Sequence, residues 1–79
     1  MATVNVLYFA SLREQRGRTQ EAVELCADET VEALYHRLFP TSAQGRIPVA
    51  YAVNEAYVGA EHRLQDGEEV AFIPPVGGG

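Results

Sequence analysis

The sequence predicts an α+β fold, a mixed sheet of four to five strands packed on one main helix, and three observations carry that prediction. Apolar residues alternate with period two near both ends of the chain. A central stretch carries an apolar stripe at helical spacing, and glycine, proline and acidic turn residues separate these runs. With 79 residues the chain has room for one domain and a modest core, since a chain of this size buries roughly 60–65% of the surface its unfolded form exposes.

Residues 3–9 read as a strand with Val4, Val6 and Tyr8 on one face and Leu7 and Phe9 on the other. Ser11 and Glu14 have capping-box spacing, which predicts a short helix over 12–16 closed by Gly17. Residues 21–26 form a returning strand with Val23 and Leu25 inward. Thr30 is a helix N-cap, and Val31, Leu34, Tyr35 and Leu38 recur at i, i+3, i+4 and i+7 until Pro40 ends the helix. The stretch 41–48 is polar and loop-like. Strands over 49–53 and 56–58 flank an Asn54-Glu55 turn. Asp66-Gly67 turns the chain into a last strand over 69–73, with Val70 and Phe72 on one face and Ala71 and Ile73 on the other. Pro74 and Pro75 stop that ladder because neither has an N–H to donate.

This order, with a single amphipathic helix, is the β-grasp arrangement of ubiquitin-like domains, expected over residues 1–76 with a flexible glycine tail at 77–79. A sheet covered by a helix on one side should leave its second face polar. Here Leu7, Phe9 and Ile73 fall on that second face, and clustered apolar residues on a sheet face mark a partner surface.

The formal net charge is −5. Phosphate binding by counterion release needs a basic patch, and the six arginines are scattered along the chain, so nucleic acid is not an expected partner. Lysine is absent, which leaves no side-chain amine for isopeptide linkage; compositional drift from lysine to arginine accounts for this equally well. The single Cys26 excludes an internal disulfide and four-cysteine metal or cluster sites. It reads as a small buried apolar residue at a strand end ahead of a persulfide carrier. His36 and His62 lack ligand partners at metal spacing and read as solvated; Asp66, Glu68 and Glu69 read as a solvated turn, with the steering of a basic partner as the alternative. No signal-peptide pattern or membrane-length apolar run is present, so the cytosol is the expected location and no membrane is an expected partner.

The most informative segment is the end of the chain, Phe72-Ile73-Pro74-Pro75-Val76-Gly77-Gly78-Gly79. The prolines stiffen the base of the tail and aim it away from the sheet. Four residues from Val76 onward can reach roughly 13 Å. Glycine has no Cβ, so this tail can enter a channel too narrow for other residues. A frayed terminus or linker remnant is the plain alternative, less suited to a segment directly after the last strand of such a domain.

The chain resembles the ubiquitin-like sulfur carrier family that includes the small subunits of molybdopterin synthase. The resemblance rests on Val6-Leu7-Tyr8-Phe9-Ala10 with Arg13-Glu14, on Val53-Asn54, on Leu64-Gln65-Asp66-Gly67 with Glu68-Glu69-Val70-Ala71-Phe72, and on Pro74-Pro75-Val76 before Gly78-Gly79. Gly77 falls where the family varies freely. The resemblance implies that Gly79 is the reactive residue: its carboxylate is adenylated by an ATP-using activating enzyme and converted to a thiocarboxylate by a sulfur donor such as a cysteine desulfurase or rhodanese-like protein. Pro75, Val76, Gly77 and Gly78 then insert into the large synthase subunit, where the sulfur builds the dithiolene on a pterin precursor. It implies further that Phe9, Tyr57 and Ile73 contact that subunit, with a part-buried core tyrosine as the competing reading of Tyr57, and that two small and two large subunits assemble. No cofactor or metal is expected on this chain, and the small subunit is not catalytic alone. A carrier for thiamine or tRNA thiolation, and a ubiquitin-like modifier without sulfur chemistry, are the rival readings.

Overall fold

The computed structural model describes residues 2–40 and 49–74. Its elements run β1 (Thr3–Tyr8), α1 (Ala10–Arg16), β2 (Gln20–Glu24), α2 (Val31–Leu38), β3 (Ala50–Val53), β4 (Ala56–Val58) and β5 (Glu69–Ile73). The five strands form one sheet in the order β2-β1-β5-β3-β4. The central pair, β1 and β5, is parallel, and the other pairs are antiparallel. The sheet is therefore mixed and the fold is β-grasp, as the strand and helix patterning predicts.

Alternation along the strands sends Val4, Val6, Tyr8, Val70 and Phe72 to one face, where they meet Val31, Leu34 and Tyr35 of α2 in one buried cluster. Aromatic rings thicken this core. Tyr35 meets Phe72 edge-on at 5.2 Å between centroids, and Tyr8 meets Phe39 at 5.8 Å. Thr30 caps α2 by accepting from the Ala33 N–H at 3.1 Å.

Two carboxylates fasten the periphery. Glu21 Oε2 accepts from the Tyr8 hydroxyl and from Arg16 Nη2 at 2.6 Å, and Glu21 Oε1 accepts from Arg18 at 3.1 Å. Burial opposes charge on Glu21, yet the Tyr8 hydroxyl and the Arg16 guanidinium hold its carboxyl below the usual range. Glu29, buried, accepts from Arg37 Nε and Nη2, both at 2.9 Å, and from the Cys26 N–H at 2.9 Å. Arg37 also holds Glu29 below the usual carboxylate range, against its burial.

Several local expectations are corrected. Helix α1 starts at Ala10 rather than near Leu12, with Phe9 at its N-cap and no side-chain cap bond. The Ser11/Glu14 box is not formed because the chain swings out of β1 at once, through Ala10 at φ 51°, to bury Leu12. Gly17 does close α1, at φ 75°. Cys26 is exposed, not buried, because β2 ends at Glu24 and Leu25 takes the inward position. The acidic turn is not merely solvated. Asp66 Oδ1 accepts from the Thr3 N–H at 2.8 Å and Glu68 Oε1 from the Gln65 N–H at 2.7 Å, so both carboxylates cap backbone donors. His62 is part-buried, and its Nε2 makes no hydrogen bond among the described residues, lying 3.7 Å from Glu68. The polar stretch 41–48 and the domain boundary at 76 lie outside the described residues.

Candidate functional site

The face of the sheet opposite α2 is built by one transverse row in register. Leu7 of β1 stands opposite Gln20 of β2 on one side and Ala71 of β5 on the other, Ala71 opposite Ala52 of β3, and Ala52 opposite Tyr57 of β4. Two alanines at the centre of that row, with larger side chains around them, make a hollow of about 330 Å³. Leu7, Phe9, Ile73 and Tyr57 form its walls.

Local chain geometry keeps two of these side chains in the open. The sharp exit from β1 at Ala10 leaves Phe9 43% exposed instead of folding it under α1. Asn54 and Glu55 both hold positive φ, 51° and 71°, the pattern of a two-residue type I′ hairpin turn. Asn54 locks that turn to the start of β5: its N–H donates to the Glu69 carbonyl at 2.8 Å, and its Oδ1 accepts from the Glu69 N–H at 3.0 Å. Strand β4 is thereby folded back beside β3 and presents Tyr57 at 75% exposure. The structure thus brings Leu7, Phe9, Ile73 and Tyr57 onto one face, and rules out the core reading of Tyr57.

A second apolar hollow continues from the first around the end of β5, lined by Phe9, Ala10, Arg13, Ile73 and Pro74. It flanks the point at which the chain leaves the sheet. The tail residues Pro75, Val76, Gly77, Gly78 and Gly79 lie outside the described residues.

Two polar residues of the site, Arg13 and Glu55, escaped the sequence reading, and a third, Glu69, figured in it only as part of the acidic turn. The alternation of Glu69 with Val70 is the signal that places its side chain on the open face. For Arg13 and Glu55 the placement depends on the positive φ at Ala10 and in the hairpin turn, which no period reveals. Among the described residues no group of His, Cys, Asp and Glu side chains could hold a metal ion, and no helix is long and apolar enough to cross a membrane.

A β-grasp domain with an apolar open face, whose sequence runs on from the edge of that face into three glycines, defines a class: the small ubiquitin-like carrier domains. The sequence profile of the ThiS family matches residues 6–79, and the chain belongs to that family. It is 42% identical over 82 residues to the molybdopterin synthase sulfur carrier subunit of Escherichia coli, a match covering 96% of this chain and 99% of the relative. Among solved structures it is similar to a Pyrococcus furiosus protein assigned as molybdopterin converting factor subunit 1. That likeness has a TM-score of 0.81 at 29% identity and covers 96% of this chain and all of the other. The fold also matches a structure of subunits 1 and 2 of the Helicobacter pylori molybdopterin-converting factor in complex, with a TM-score of 0.65 at 20% identity, covering 98% and 99% of the two chains.

Proposed function

We propose that this chain is the sulfur carrier subunit of a molybdopterin synthase. The single observation that carries the reading is the convergence on the sheet face opposite α2. Leu7, Phe9, Ile73 and Tyr57 surround an open apolar hollow, and β5 hands the chain on from that hollow toward Gly79. The full-length similarity to the Escherichia coli carrier subunit supports it.

On this reading the chain brings a reactive acyl terminus and the surface that docks it. An activating enzyme adenylates the Gly79 carboxylate at the expense of ATP. A free carboxylate is a poor electrophile, whereas the acyl adenylate has AMP as leaving group. A sulfur donor then displaces AMP and leaves a thiocarboxylate. The sheet face seats on the large subunit, and Pro75, Val76, Gly77 and Gly78 carry the terminus into that subunit's cleft. Holding the sulfur against a bound pterin precursor turns an encounter between two molecules into a local one, the proximity component of catalysis. Acid–base and substrate-binding groups belong to the large subunit.

Mass spectrometry of the chain produced with its activating enzyme, ATP and a sulfur donor tests the reading. One oxygen of Gly79 exchanged for sulfur is the expected result. Isopeptide conjugates to target lysines with no thioacid would instead identify a protein modifier.

A further inference from the structure

The open face carries charge at its two ends and none at its centre. Glu69 and Ile73 project from the same face of β5, four residues apart, which is roughly 13 Å at strand spacing. Glu55 lies beside Glu69, because Asn54 ties the hairpin turn to that residue's backbone. This end of the hollow is acidic. Arg13 lies at the other end, against Phe9, Ile73 and Pro74, where the chain leaves the sheet.

None of these three side chains is spent on the fold. Arg16 and Arg18 share Glu21, Arg37 holds Glu29, and Arg63 lies 3.8 Å from Asp28. The Arg13, Glu55 and Glu69 side chains make no ion pair or hydrogen bond among the described residues. Glu55 also occupies φ 71°, a turn position that glycine fills without strain, so its carboxylate is kept at a conformational cost.

We propose that Arg13 at one end and Glu55 with Glu69 at the other set the rotational register in which the large subunit seats on this face. The inference rests on the carrier reading above. Apolar burial is non-directional, and a hollow floored by Ala52 and Ala71 does not distinguish a partner from the same partner turned end for end. Only one orientation puts the cleft where the tail leaves the sheet. Unpaired charges of opposite sign at the two ends of the hollow make that distinction. The partner surface is therefore apolar at its centre, with a carboxylate at the tail-entry side facing Arg13 and basic side chains facing Glu55 and Glu69.

The test is the association of the intact chain with the large subunit, measured by stopped-flow and calorimetry across a salt series. Arg13→Glu and Glu69→Lys are each expected to weaken binding roughly tenfold, mainly through slower association, and to flatten its salt dependence. Arg13→Gln, which puts no opposing charge at the end of α1, should show a smaller loss of the same kind. Reversing the facing carboxylate of the large subunit to lysine should restore binding to the Arg13→Glu variant, a rescue that a merely folded-state role would not give. Wild-type binding with Arg13→Gln and Glu69→Lys unchanged in affinity and salt dependence would overturn the register assignment and leave the carrier reading standing. Failure of the wild-type chain to bind any large subunit would overturn both.

Discussion

Phe9 and Glu55 are individually awkward and jointly informative. An aromatic ring left 43% exposed stands outside the core cluster, and a glutamate at φ 71° would be relieved by glycine. Both line the hollow on the open face. Phe9→Asp should therefore weaken large-subunit binding by about 2 kcal/mol or more, the range of a buried aromatic anchor, with the melting temperature little changed. Equal affinity by calorimetry would remove Phe9 from the interface. Glu55→Gly should raise stability by about 0.5–1 kcal/mol, since the relief of strain exceeds the added freedom of the unfolded chain. A denaturant midpoint that moves down would show that the Glu55 side chain supports the turn. At this scale the sequence was legible wherever strand alternation decided the matter, as for Leu7, Ala71 and Ile73. It was not legible where one residue's backbone angle decided it, as at Ala10, which both displaced the start of α1 and put Phe9 and Arg13 side by side.

Among the elements, α2 is legible almost whole from its stripe and its threonine cap, because both signals are local and reinforce each other. Thr30→Ala should cost about 1 kcal/mol, the usual worth of a lost N-cap, measured as a shift in midpoint without change in m. Leu34→Ala, at a fully buried position of the same helix, should cost about 2–5 kcal/mol. If the two losses were similar, the helix would be held by its cap more than by its packing. The short elements are harder. Helix α1 is a seven-residue segment whose start is set by burial of Leu12, not by Ser11. Cys26 defeats the expectation from residue type, not strand alternation: with Val23 and Leu25 inward the next position faces outward, and Cys26 is exposed there.

The molecule as a whole is closed by two acidic clips, Glu21 with Tyr8 and Arg16, and Glu29 with Arg37. These long-range pairings leave no trace in local periodicity, whereas the β-grasp order of strands does. Both carboxyls are held below the ordinary glutamate value of 4.5 in the folded state. A depressed folded pKa adds stability that is present above the unfolded value and is lost as pH falls through the folded one. Stability should thus be level near neutrality and drop below about pH 4.5, with Glu21→Gln and Glu29→Gln each less stable at pH 7 and less sensitive to acid. Acid profiles of the variants that parallel the wild type would dismiss the clips as pH determinants. The folded body holds the apolar face and the end of β5 together in one sheet. The most direct measurement is a single turnover in which the chain, bearing a chemically prepared thiocarboxylate on Gly79, is mixed with the large subunit and the pterin precursor. Molybdopterin formed in proportion to the thiocarboxylate supplied, and none from the carboxylate form, is the predicted result; product from the carboxylate form, or none from either while the two subunits are bound, would contradict it.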